Sequence, residues 1–585
     1  MDDGARRESL TPMLHPTPRR FHAVALLVGV ATAVASTWPV AANLSDHVVD
    51  GARLVQPTGT PNWWSANIGA DVLTTVWILN WVLHGLVTQP LHLFEANIFY
   101  PAPVPLARSE HMFATALLGA PGALLGGPVA AHQTALLLCL TLTVWSTAWV
   151  VARWEGSLAA GLAAGVLFAT CPVLTQAVAH LQFLGVAYFP LILFWLDRFR
   201  GTGHVRWVLA AALALALQML SGQYLAYAAL VVWGVAAAAT ILAAEHGPRP
   251  VLRAVALVGV ASGVAAVLIL PFVVPYLGLL GPRELPDNTA SWVFKLGIFS
   301  VGEYVHEWQP TLAWVQLPWP VQVLAAAGLG SLVARKAWAR TATLGAIAVI
   351  GALLSVGPKP GGLGLYRLLL AIVPGFHTAR EPVRWAILPH LVAAMLAGSG
   401  TALLVRRLGA AGAVVATAAV GLACAMSWIA PLPLRGLPVG DAVPAAYRYL
   451  ARCGEGDPLL ELPANVAELN VLDAERDYFS TVHWLPILNG RSGYPPLSFA
   501  ETMSLATYIP DDRAVEALRT SAGLRWVLVH CATSGVALRN ALCRPGGWPG
   551  PRLREFGDLW LYDLGPVPVL PRAWPRRRPA QGPCT

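Results

Sequence analysis

Apolar runs long enough to cross a bilayer recur from Phe21 to about Pro431, and no other feature constrains the fold of this chain as strongly. About eleven such spans of roughly 17–25 residues are expected. Their approximate limits are 22–42, 129–152, 156–174, 183–197, 206–221, 223–243, 254–280, 319–336, 341–356, 385–405 and 410–430. Of the 585 residues, 56% are hydrophobic and only 12% are charged, which is more apolar surface than a soluble core needs. The predicted fold class is therefore an all-α polytopic membrane protein, followed by a small α/β or α+β C-terminal domain.

Basic residues give the orientation. Arg6, Arg7, Arg19 and Arg20 precede the first span. Arg153, Arg198, Arg200, Arg206, Arg249, Arg253, Arg335, Lys336, Arg340, Arg406 and Arg407 all fall on that same side if the spans alternate. That side is read as cytoplasmic, so the net charge of +8 reports topology and gives no case for nucleic acid. The first span runs on into further spans and is read as an uncleaved helix. Four parts follow: a cytoplasmic tail at 1–20, a transmembrane domain at 21–431, an exported domain at 432–570 and a disordered basic tail at 571–585. The outer segment 43–128 of the membrane domain is expected to carry interfacial helices. Cys139, Cys171 and Cys424 fall in apolar spans as packing residues, whereas Cys453, Cys531, Cys543 and Cys584 fall where a disulfide would persist, with the pairing open.

Candidate chemistry gathers on the outer side. Asp71 stands at the head of the apolar, tryptophan-rich stretch GADVLTTVWILNWVLHGL, where it suits a general base and also an N-cap. Trp77, Trp81 and His84 share one helical face, and this run is expected to lie on the outer leaflet with its indoles at headgroup depth. Glu95, Arg108, Glu110 and His111 follow in the same segment, where the acids and the histidine could position an acceptor hydroxyl or hold a divalent metal. No CxxC or HExxH pattern points to zinc.

Later, GFHTAREPVRW offers His377, Arg380 and Arg384 at the outer start of a span, with Thr378 and Glu381 at capping-box spacing. These cations, with Lys359 in an outer turn, suit a lipid phosphate. His180 and Gln182, then Gln223 and Tyr224, lie in shorter outer connections and are pocket candidates alongside Trp77 and Trp81. In the exported domain, ERDYFSTVHWLPILNGRSGYPP places His483, Trp484, Asn489, Arg491 and Tyr494 as a plausible carbohydrate-binding face or, equally, a turn-rich core.

The first helix, the long outer segment with its Asp, and ANIFYP and LARSEH ahead of the second span resemble the C-type (GT-C) glycosyltransferase superfamily, more narrowly bacterial polytopic proteins with an exported C-terminal domain. The resemblance implies inverting transfer of a sugar from a polyprenyl-phosphate donor to a glycan, lipid or protein acceptor at the outer face of a bacterial plasma membrane. Asp71 would take the acceptor's proton. Many relatives carry a pair of acids in this segment, and here Asp71 stands alone between Ala70 and Val72. No cofactor is required beyond a possible divalent metal, and membrane lipid is the surrounding partner. A flippase or a non-catalytic assembly protein for lipid-linked glycans is the alternative.

Overall fold

The computed structural model describes residues 18–244, 248–279, 316–357, 364–376, 381–464, 471–567, 571–572 and 574. Its helical block runs through α1 (Pro18–Ser36), α2 (Gly51–Val55), α3 (Trp63–Thr88), α4 (Phe113–Glu155), α5 (Leu158–Ala169), α6 (Pro172–Gln176) and α7 (Phe189–Thr202). It continues with α8 (Val205–Ser221), α9 (Gln223–Leu242), α10 (Pro248–Leu277), α11 (Trp319–Ala334), α12 (Trp338–Ser355), α13 (Leu365–Ile372) and α14 (Ile387–Met426). Among the described residues, eight helices are long and apolar enough to cross a membrane, and α8 and α11 are shorter apolar helices. The sequence expectation of about eleven spans differs because α14 joins two expected spans across a bend at Gly409, and because the expected span at 183–197 opens as a turn before α7. A second bend, at Gly127, divides α4 into an outer limb and the expected second span.

The basic residues converge at one end of the block. Glu155 at the end of α4 pairs with Arg335 and Arg406, and Asp197 on α7 pairs with Arg200 and Arg340. Arg253 on α10 reaches the Gly203 carbonyl that follows α7. These contacts draw together helix ends that alternation of the spans assigns to one side.

At the other end, β1 (His47–Val49) pairs antiparallel with β2 (Leu434–Gly436), which joins the outlet of α1 to the outlet of α14. The remaining chain forms a four-stranded sheet in the order β3 (Leu459–Leu462), β4 (Trp526–His530), β6 (Leu559–Asp563), β5 (Arg552–Phe556), with only the first pair parallel. Around it lie α15 (Ala445–Cys453), α16 (Val471–His483), α17 (Leu497–Ala506), α18 (Asp512–Ala522) and α19 (Val536–Leu542). A disulfide joins Cys531 to Cys543, and Cys453 is also disulfide-bonded.

The outer segment completes this domain. Ile487 N–H donates to the Asn97 carbonyl at 2.6 Å, Tyr100 N–H to that of Ile487 at 3.0 Å, and Phe99 N–H to that of Asn489 at 2.8 Å. Leu488 N–H in turn donates to Leu459 of β3, so ANIFYP is laid along LPILNG and through it onto the sheet. Of the tail expected to be disordered at 571–585, 573 and 575–585 lie outside the described residues, while Arg572 pairs with Glu95 at 2.9 Å and bonds the Ala96 carbonyl and Trp574 stacks on Trp81. The arginine finds a carboxylate and backbone carbonyls that the ANIFYP turn leaves free.

Helix α3 is the run expected to lie on the outer leaflet. It is long enough to cross, yet it packs on α2, α4 and α16, and α16 belongs to the domain built after the last span. It is thus packed into the layer that the later domain shares with the segment after α1. Trp77 and Trp81 are fully buried, their indole N–H groups donating to Asn97 Oδ1 and to the Leu93 carbonyl, so they are core residues and neither headgroup anchors nor pocket walls.

Helices α11 and α14 cross at glycines. A Cβ on Gly328 would overlap the Leu396 carbonyl oxygen, and one on Gly400 that of Leu324, so the two backbones touch where side chains would otherwise hold them apart. Gly328→Val is expected to lower stability by about 3 kcal/mol or prevent folding, because overpacking here meets backbone and not a movable side chain. Thermal unfolding of the detergent-solubilised protein checks this, with Gly330→Val, which faces open space, remaining near wild type.

Candidate functional site

Asp71 sits two turns inside α3. The helix is capped instead by Asn62, whose side chain accepts from the Ser65 amide, so the N-cap expectation for Asp71 does not hold. The spacing of Asn67, Asp71 and Thr74 puts three polar groups on one stripe of an otherwise apolar helix. All three meet Arg491. Its Nη1 lies 2.7 Å from Asp71 Oδ1 and 2.9 Å from Thr74 Oγ1, and its Nη2 donates to the Asn67 carbonyl and side-chain oxygens at 3.3 and 3.2 Å. The backbone amide of Arg491 donates to Asp477 on α16, which fixes the loop that carries it. Spread over three residues of α3, the guanidinium fork holds the C-terminal domain in register with the helix.

The second oxygen of Asp71 lies 3.3 Å from His180 Nε2. The Asp71 side chain keeps 33% of its exposure while Arg491 and His180 keep 6% and 7%, so the carboxylate forms the accessible rim and its partners lie behind it. Burial would raise its pKa, but the Arg491 charge and the His180 hydrogen bond outweigh that and hold the carboxyl well below the usual carboxylate range.

From His180 the cluster continues through a 3-10 turn at Leu181–Phe183. The Phe183 ring packs edge-on to His180 and to Tyr224, and the Arg384 guanidinium lies over Phe183 at 3.8 Å and over Tyr224 at 5.5 Å. Arg384 is paired with Glu381, whose carbonyl accepts from the Tyr224 hydroxyl. The buried Nε of Arg384 has no hydrogen-bond partner among the described residues. His377, Thr378, Arg380 and Lys359 lie outside the described residues. Glu381 begins a 3-10 turn with no side-chain cap.

Glu110 reaches the same place from the outer segment. Its carboxylate accepts the backbone amides of Gln223 and Tyr224, closing the N-terminus of α9, and its pKa is raised by burial against the pull of those amides and of Arg384. Gln182 has a buried side-chain oxygen without a donor among the described residues, beside the Gly222 turn. His180 thus touches Asp71, and Tyr224, Arg384, Glu110, Gln223 and Gln182 join the same cluster through Phe183 and the Gly222 turn. Glu95 and His111 do not. Glu95 serves Arg572, and His111 is enclosed by Phe94, Phe272 and Tyr276, where burial pushes its pKa down to about 4.

The carbohydrate-face reading of the C-terminal motif is also corrected. Asn489 is fully buried and bonds both the amide and the carbonyl of Glu461, His483 is buried, and Trp484 stacks on His84 at 4.1 Å. These side chains bind protein, because the motif lies between α3 and the sheet. For a divalent metal the donor set is sparse: a guanidinium already lies against Asp71, and among the described residues no three metal-ligating side chains converge.

Solved structures share this architecture. Arabinofuranosyltransferase AftD from mycobacteria, in two classes of one mutant, aligns with TM-scores of 0.56 and 0.55 at 17% identity, over 94% of this chain and 42% of AftD. The chain has the C-type glycosyltransferase fold. It spans less than half the length of AftD. Oligosaccharyltransferase AglB from Archaeoglobus fulgidus aligns at a TM-score of 0.41 and 11% identity over 90% of this chain and 70% of AglB, too weakly to bear on the fold. No family model and no curated protein matches the sequence.

The sequence singled out Asp71 and Arg491 separately but gave no sign that they meet. The polar stripe Asn67–Asp71–Thr74 was the available signal, since such a stripe on an apolar helix needs a polar partner. Arg491→Met is expected to destabilise the protein by about 2 kcal/mol, reduced from a fully buried pair by the exposure of Asp71. Adding Asp71→Asn should cost little more, and a double-mutant cycle on thermal unfolding checks that coupling. Because the folded-state pKa of Asp71 is lowered, the pair contributes fully above the ordinary aspartate value of 3.8 and is lost as pH falls below it. The coupling should therefore be flat from about pH 5 to 8.

Proposed function

We propose that this chain is a membrane glycosyltransferase that moves a sugar from a polyprenyl-phosphate donor to a glycan, lipid or protein acceptor. The reaction faces the outside of a bacterial plasma membrane, with the N-terminus cytoplasmic and the C-terminal domain exported. The observation that carries this reading is the accessible Asp71 carboxylate at the rim of a cluster that also holds Arg384, with His180 and Phe183 between them. The C-type fold supports it, as does the position of the cluster ahead of α7, at the end opposite Asp197 and its arginines.

In this reading the acceptor hydroxyl oxygen attacks the anomeric carbon, the bond from that carbon to the phosphate oxygen breaks, and the configuration inverts. The hydroxyl proton passes to Asp71 and the polyprenyl phosphate leaves. Arg384 receives the departing charge, and its unpartnered Nε gains an acceptor when a phosphate oxygen arrives. His180 and Arg491 fix the direction of the carboxylate. They also weaken it as a base, so an acceptor that shifts Arg491 off Asp71 would raise its proton affinity when it is needed.

That same ion pair favours a second reading, a non-catalytic assembly protein in which Asp71 and Arg491 only fasten the outer domain to α3. Transfer of radiolabelled sugar from polyprenyl-phosphate donors to membrane acceptors separates the two. Asp71→Asn is expected to lower transfer by about 100-fold or more while folding and donor binding persist. Arg384→Gln should raise the donor KM about tenfold. Equal transfer by wild type and Asp71→Asn removes Asp71 as base, and absence of transfer by wild type across a donor panel favours the assembly reading.

A further inference from the structure

At the end of the block opposite Asp71, two sets of arginines stand apart. Arg200, Arg335, Arg340 and Arg406 are paired, two to each carboxylate, with Asp197 and Glu155. Arg153, Arg198 and Arg206 are exposed, and their guanidinium groups make no hydrogen bond or ion pair among the described residues. Each lies instead over an indole: Arg153 over Trp149 at 5.7 Å, and Arg198 and Arg206 over the same Trp207 at 5.7 and 4.4 Å.

The indoles form one continuous ladder. Trp207 stacks on Trp195 at 5.1 Å and 6°, Trp195 meets Trp149 at 5.1 Å, and Trp149 stacks on Trp145 at 6.5 Å and 14°. Trp145 is held in turn by its indole N–H, which donates to His22 on α1 at 3.0 Å. The ladder thus joins α1, α4, α7 and α8 and fixes the platform beneath the three cations. The Trp207 indole N–H has no acceptor among the described residues. Below Arg206, the exposed Val205, Leu209 and Leu213 fall at a spacing of four residues along α8, an apolar track descending from the charged group.

We propose that this ladder is a binding site for the headgroup of an anionic glycerophospholipid, with Arg198 and Arg206 on the phosphate and an acyl chain along Val205, Leu209 and Leu213. Three features point to a lipid and not a soluble anion: the cations lack carboxylate partners, stacking holds their planes in place, and an apolar track continues from them into the spanning part of α8. The site lies at the opposite end from the Asp71 cluster and stands whether or not that cluster transfers sugar.

Native mass spectrometry of the full chain, equilibrated in mixed micelles with equal amounts of phosphatidylglycerol and phosphatidylcholine, tests the site. Wild type should retain phosphatidylglycerol in preference. Arg198→Gln with Arg206→Gln should reduce that preference about tenfold, the order expected for removing two cations beside an anionic headgroup. Arg407→Gln removes one exposed, unstacked charge at the same end and should leave the preference unchanged. An unchanged preference in the double variant overturns the proposal, and so does an equal loss in Arg407→Gln, which would assign the effect to bulk charge. Trp207→Leu keeps every charge and should still weaken retention; full retention in it would rule out the stacked platform.

Discussion

A half-buried carboxylate held between a guanidinium and an imidazole is the interaction on which the outer half of this molecule depends. Asp71 lies too far inside α3 for free helix amides to stabilise it, so the compensating charge must come from elsewhere in the chain. Arg491 supplies it from the C-terminal domain and is itself fixed by Asp477, while His180 approaches from a connection between spans. One acid therefore ties together three separate parts of the sequence. The ANIFYP hydrogen bonds along residues 487–489 and the Arg572–Glu95 pair strengthen the same junction.

This arrangement changes what the C-terminal domain does. The most distinctive residues of its NGRSG stretch are buried against protein, Asn489 on Glu461 and Arg491 behind Asp71. The cluster reaching to Arg384 mixes contributions from the outer segment, two connections between spans and the start of α14. A single Phe183 ring separates the acid side, with His180, from the cation side, with Arg384.

Much of the fold was legible because its signals are local. Apolar length announces a span, and basic residues between spans mark a common side, which the pairs of Glu155 and Asp197 bring together physically. Pairings across hundreds of residues carry no such signal. Neither ANIFYP nor LPILNG says that it will meet the other, and the tryptophans of α3 read as interfacial because amphipathic membrane helices and buried helices share their composition. The stretch GADVLTTV suggested a helix start at Asp71, but Asn62 offered an earlier cap and the apolar run before Asp71 was long enough to use it. Within the candidate site, residue types were readable from sequence, whereas their partners depended on tertiary contacts.

The pairing of β1 with β2 closes the block into a ring, its first and last spans joined on the outer side. Order in time follows from that closure. During synthesis β1 is exported hundreds of residues before its partner exists, and Asp71 waits longer still for Arg491. Until then a bare strand edge and an uncompensated acid face the exterior, so the nascent chain passes through a long interval in which its outer layer cannot assemble. The residues that lock β1 and Asp71 are made only after the spans from α1 to α14, so this junction is the late step in assembling the layer they share.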